Sequence, residues 1–141
     1  MKRRGEGSMR SYYKAYKKVG QIEGSLAKRL GFAFDGSVYV SPGVINHIKR
    51  RHGKQLSRKV KDNLLRVIED IIDNPDYIGV NTERGGNGSL EFVKKIDNTL
   101  LLGLEVDLEE EYIYVATLYP ITRSKIDNRL YNGRLMEYKE G

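Results

Sequence analysis

Residues 60–75 read VKDNLLRVIEDIIDNP, and the chain beyond them changes its apolar period from that of a helix to that of a strand. Val60, Leu64, Val67, Ile68, Ile71 and Ile72 recur at three- and four-residue spacing with Leu65 alongside, which predicts a helix with one broad apolar stripe. Asn74-Pro75 stops it, since proline has no N–H to continue the ladder. That stripe is core and carries no chemistry. After it, the pattern predicts strands near Tyr77–Thr82, Leu90–Ile96, Thr99–Asp107 and Tyr112–Tyr119. Asp97-Asn98 makes a tight hairpin turn, Glu109–Glu111 a second turn, and Gly85–Gly88 a longer loop. Consecutive strands with short links form an antiparallel meander. The expected architecture is therefore α+β, with N-terminal helices packed on one face of a four-stranded antiparallel sheet.

Upstream, Ser37–Val40 alternates like a short strand, and Ser41-Pro42 looks like the cap and first position of a helix ending at a left-handed Gly53. Gln21–Leu30 predicts a helical turn or two around Ile22, Leu26 and Leu30, and Ser124–Tyr131 a last short helix ending near Gly133. Residues 1–20 are basic, Tyr-rich and aperiodic, and read as a mobile tail or linker. The rest, 21–141, is of a length for a single domain.

The net charge of +6 belongs to the tail, where seven Lys/Arg face only Glu6; the remainder has 18 basic and 18 acidic residues. It is unevenly spread. Ser41–Arg66 holds eight basic residues against Asp62, and Val67–Ile113 holds twelve acidic against three basic. Such polarity orients an anionic partner toward one side of the fold. The chain has no cysteine, which removes disulfides, thiolate chemistry and Cys-based zinc sites. No apolar run reaches the roughly 20 residues of a membrane helix, and the basic start has no apolar stretch behind it as a secretory signal would. The expected setting is the cytoplasm of a bacterial or phage-infected cell, without membrane contact.

Chemistry concentrates in VINHIKRRHG, residues 44–53. On a wheel of about 100° per residue, Val44, Ile45 and Ile48 share a face with His52, while His47 lies farther round. His52 is thus aimed at the protein body, beside Arg51. An imidazole titrating near neutrality next to a guanidinium suits general acid–base work on a phosphodiester. His47 is the weaker candidate. The two are five residues apart, not four, so they diverge and cannot ligate one metal ion. Lys94 and Lys95 point to opposite faces of one strand; one in a cleft would steady a phosphorane, one at an edge would merely deter aggregation. In TLYPITRSKI, Thr117 and Tyr119 are taken to share a strand face with Ile113 and Val115, placing hydroxyls at a strand end followed by Arg123 and Ser124. Hydroxyls and an arginine at a strand exit suit phosphate contact as well as ordinary packing.

VYVSPGVINHIKRRHG (38–53), the amphipathic helix to Asn74-Pro75, the strand pair FVKKIDNTLLLGLEV (92–106) and YIYVATLYPITRSKIDNRLYNGRL (112–135) stand in an order that resembles the barnase–EndoU–colicin–RelE (BECR) nuclease superfamily, in particular its phage-associated branch (PBECR). The resemblance implies RNA bound across the sheet and cleaved by attack of the ribose 2′-OH, with no metal or cofactor. It makes His52, with His47 in reserve, the acid or base. Lys94 or Lys95, Arg51 and Arg123 would hold the phosphate, and Thr117, Tyr119 and Ser124 would orient it. It assigns no glutamate base of the barnase kind; Glu91 is a conceivable one. An immunity or antitoxin protein, or a parent phage protein, is an implied partner. Two other readings stay open: a nucleic-acid-binding module without catalysis, and an interaction module of a phage or toxin system.

Overall fold

A computed structural model describes residues 16–31, 34–81 and 88–138. Among them, seven strands form one mixed sheet in the order β1-β2-β6-β5-β4-β3-β7. The strands are β1 (Lys17–Gln21), β2 (Ser37–Val40), β3 (Tyr77–Asn81), β4 (Gly88–Ile96), β5 (Asn98–Asp107), β6 (Tyr112–Pro120) and β7 (Met136–Glu137). The helices are α1 (Gly24–Leu30), α2 (Val44–His52), α3 (Arg58–Asp62), α4 (Leu64–Asp73) and α5 (Arg123–Tyr131). Strands β3 to β6 are the expected antiparallel meander, with one residue, Asp97 at φ 50°, turning β4 into β5. The four-stranded antiparallel sheet is nonetheless an underestimate. β2 pairs parallel with β6, β1 pairs with β2, and β7 with β3. Polar KKVGQ and two-residue β7 carry little apolar alternation of their own, so they are strands only because a sheet edge is there to pair with. Lys17–Gln21 accordingly moves the end of the expected tail back into the domain, with Val19 buried in the core. Residues 1–15 and most of the expected 85–88 loop lie outside the described residues.

The main core lies on one sheet face. There Val44 and Ile48 of α2, Val60 of α3 and Leu64, Val67, Ile68, Ile71 and Ile72 of α4 pack against Leu90, Phe92, Leu100, Leu102, Leu104, Ile113 and Leu118. The helix predicted from Val60 onward is in fact two. Asn63 leaves helical geometry (φ −133°, ψ 37°) and its side-chain amide donates to the Lys59 carbonyl, a local bond that competes with the helix ladder. Ser57 caps α3 by accepting from the Val60 N–H. The start of α2 also differs. Ser41 and Pro42 form a turn closed by Val44 N–H to the Ser41 carbonyl, and Gly43 is the cap. At its other end Gly53 is right-handed and continues into a 3-10 turn, Gly53–Gln55.

Helices are not confined to one face. On the other, α5 covers a smaller core of Val93, Leu101, Ile121, Ile126 and Leu135. Alternation explains the split: Phe92 and Val93, or Leu101 and Leu102, are neighbours in sequence and must point oppositely. The chain leaving α5 presses onto β3 at Gly79, where a Cβ would collide with the Arg134 carbonyl and touch Leu135 Cδ2. Gly79→Ala is therefore expected to lift the 134–135 segment and to destabilise the fold by about 1–3 kcal/mol, as overpacking does; an unchanged urea midpoint would show that the segment yields freely.

Candidate active site

Across the second face, four residues lie in register on adjacent strands: Gly79, Glu91, Gly103 and Thr117. Glu91 thus stands between two glycines. The returning backbone of Arg134 and Leu135 fills the place of a side chain at Gly79, and at Gly103 the Thr117 methyl stands where a Cβ would meet it at 3.1 Å. The Glu91 side chain is only 14% exposed, and two arginines from the α5 region descend on it. Arg129 Nε approaches Glu91 Oε1 at 3.4 Å and Arg134 Nη2 at 3.7 Å. The Arg129 contact is an ion pair without hydrogen-bond alignment, and Nε is a buried donor with no acceptor of its own.

Tyr119 joins this group through a fault in β6. Between Gly103↔Thr117 and Leu104↔Val115 the register shifts, leaving Ala116 as an extra residue. A bulge of one residue reverses the facing of everything after it. Ile113 and Val115 stay in the main core, while Thr117 and Tyr119 turn to the second face. The expectation that all four share a face is overturned by that one residue. Tyr119 is hydrogen-bonded to Arg129, and its hydroxyl is held above the ordinary tyrosine range, by burial first and then by the nearby Glu91 carboxylate, with Arg129 and Arg134 opposing.

His52 arrives from the other side. β2 pairs with β6 only at Val38↔Ile113 and Tyr39↔Tyr114, and α2 lies against β6. This brings the His52 ring to 5.5 Å from the Tyr119 ring, with planes inclined by 34°. The 3-10 turn returns Gln55 to the imidazole, its Oε1 3.1 Å from Nδ1. With Nδ1–H donating to Gln55, Nε2 is the nitrogen left for a substrate.

Of the residues singled out in the sequence, then, Tyr119 and Thr117 turn to the second face, and His52 meets Tyr119 ring to ring. Others do not join them. His47 is about 140° round α2 from His52 and makes no side-chain hydrogen bond or ion pair among the described residues. Arg51 is exposed on the last turn of α2, beside His52 in sequence. Lys94 points to the helical face, donating to the Asn74 carbonyl at 2.7 Å and facing Asp76 at 4.0 Å, where it secures the end of α4. Lys95 is exposed; its backbone N–H, not its ammonium, bonds Asp76. Arg123 is committed to the Tyr77 hydroxyl at 3.0 Å and Asp127 at 3.0 Å. Ser124 lies in the first turn of α5, bonded to the cap residue Thr122. The residues that sequence reading underrated are Glu91, Arg129 and Arg134. Glu91 had a signal: a carboxylate between Leu90 and Phe92 in a central strand, opposite the glycine of LLLGLEV. Among the described residues no three His, Asp or Glu side chains converge as metal ligands, and no helix is long and apolar enough to cross a membrane.

A family model described as phage-Barnase-EndoU-ColicinE5/D-RelE like nuclease (PBECR3) matches residues 17–128, which include His52, Glu91 and Tyr119 and stop one residue before Arg129. No curated protein and no solved structure matches the chain.

Because its folded pKa is raised, Tyr119 contributes stability that is complete below about pH 10 and drains away as pH climbs through the folded value. Urea midpoints measured from pH 8 to 11 should fall less steeply in Tyr119→Phe than in the parent; parallel curves would mean that Tyr119 titrates like an exposed tyrosine.

Proposed function

The chain belongs to the phage-Barnase-EndoU-ColicinE5/D-RelE like nuclease family, and from that premise we propose that it is a metal-independent endoribonuclease whose site is the cluster around Tyr119. The observation that carries this reading is that a histidine and a carboxylate flank one half-buried tyrosine while two arginines sit on the carboxylate. A transesterification of RNA needs those parts. Glu91 takes the proton of the ribose 2′-OH as its oxygen bonds to phosphorus. Arg129 and Arg134 offset the charge on the non-bridging oxygens of the phosphorane. His52, doubly protonated, gives its Nε2 proton to the departing 5′-oxygen, and Gln55 holds the ring at Nδ1. The products are a 2′,3′-cyclic phosphate and a 5′-hydroxyl, and the proton taken by Glu91 balances the one lost by His52. Tyr119, kept neutral by its surroundings, donates a hydrogen bond to a phosphate oxygen; Thr117 stands beside Gly103 on the same face, and Arg51 extends the positive rim next to His52. In this reading Lys94, Lys95, Arg123 and Ser124 take no part in the reaction.

The purified protein is expected to cleave single-stranded RNA in EDTA, leaving 2′,3′-cyclic phosphate ends. His52→Ala and Glu91→Gln should each lower kcat/KM by about 10²–10⁴, and His47→Ala should leave it unchanged. Cleavage that persists at the parent rate in the His47→Ala, His52→Ala double variant removes histidine from the mechanism. Salt-sensitive RNA binding with no product would instead mark a binding module.

A further inference from the structure

Several cations of the Ser41–Arg66 stretch stand outside the cluster around Tyr119. Lys49, Arg50, Lys54 and Lys59 are exposed, and neither they nor half-buried Lys61 forms an ion pair among the described residues. Arg58 and Arg66 have only exposed carboxylates one turn along, at 3.9 and 4.0 Å, a kind of pair worth little in water. These charges are not spread over a featureless helix face. Lys49, Lys61 and Arg66 line a groove between α2 and the α3–α4 junction, with Ile45 and Leu65 as its apolar wall. Asp62 and Glu69 line it as well. The break at Asn63 makes the groove, because it displaces α3 from the line of α4.

The groove also connects to the reacting centre. Lys61 lies over Gly53, where a Cβ would be 3.7 Å from Lys61 Cδ. Gly53 follows His52 directly, so one wall of the groove ends at the turn that holds the imidazole.

The groove sets Lys49, Lys61 and Arg66 against Asp62 and Glu69, and this positive excess, continued by exposed Arg50, Lys54 and Lys59 nearby, favours an anionic partner. We propose that this groove is a subsite for the RNA strand beyond the scissile bond. Its phosphates lie against Lys49, Lys61 and Arg66, and a ribose or base edge rests on Ile45 and Leu65. The substrate is then a polymer several nucleotides long, not a dinucleotide. The proposal rests on the nuclease reading, and its test separates the two.

The experiment measures binding of a long single-stranded RNA by His52→Ala protein across salt concentrations, with and without Lys49→Gln, Lys61→Gln and Arg66→Gln together. A melting curve confirms that the triple variant is folded. Each lost phosphate contact on a single strand removes about 0.7 from the slope of log affinity against log salt, so the three should remove about 2. With His52 intact, the triple variant should lose kcat/KM on the polymer and keep it on a dinucleoside monophosphate. An unchanged salt slope overturns the subsite, as does an equal loss on both substrates. RNA affinity absent even at low salt overturns it too, and leaves the groove to an acidic protein. If the parent turns over neither substrate while the slope still falls by about 2, the groove stands as an RNA surface and the nuclease reading falls.

Discussion

A carboxylate near the middle of a sheet face, 14% exposed, is costly unless charge and hydrogen bonds meet it. Glu91 is met by Arg129 and Arg134, and much of the second face follows from that pairing. Arg129 is in the last turn of α5, and Arg134 lies beyond the turn at Gly133, where φ is +82°. Between them the chain doubles back, and the Leu135 N–H bonds the Arg129 carbonyl while Leu135 itself enters the smaller core. One anion thus holds two points of the segment that covers this face. Glycines on either side of Glu91 make that possible, Gly79 by letting the returning backbone lie on β3 and Gly103 by leaving room over β5.

The same face depends on a second local device, the extra residue Ala116 in β6. Without it Thr117 and Tyr119 would continue the alternation of Ile113 and Val115 into the main core, and the site would have neither hydroxyl. With it, Leu118 takes the core position and Tyr119 stands between His52 and Arg129. The short β2 completes the arrangement. Because it stops at Val40, α2 comes to lie against β6 instead of another stretch of strand, and carries His52 to the site.

How much of this was legible is best seen residue by residue. The facing of His52 was legible because helical periodicity relates its direction to that of Val44 and Ile48, a relation fixed within nine residues. The facing of Tyr119 was not legible, because the bulge reverses it. Lys94, Arg123 and Ser124 have side-chain partners of their own, and the Lys95 backbone has one. Their partners, Asn74, Asp76, Tyr77 and Thr122, include groups that become neighbours only when β3 pairs with β4 and α5 settles beside them. Glu91 could be named only as a conceivable base, since its glycine neighbours and its arginines become neighbours only through strand register and the return of the chain after α5.

By itself, the sequence determined what depends on short-range periodicity and turn chemistry: the α+β class, the amphipathic stripe of α4, the four-stranded meander, the hairpin at Asp97, and the inward aim of His52. The tertiary structure alone decided the edge strands, the face that α5 covers and the grouping of side chains around Tyr119. β1 and β7 exist by pairing with edges that other segments supply, and Arg129 and Arg134 reach Glu91 across about 40 positions of chain. The physical reason is the same in each case. Backbone pairing and charge compensation act between segments brought close by burial of a shared apolar core, and neither leaves a periodic trace along the chain.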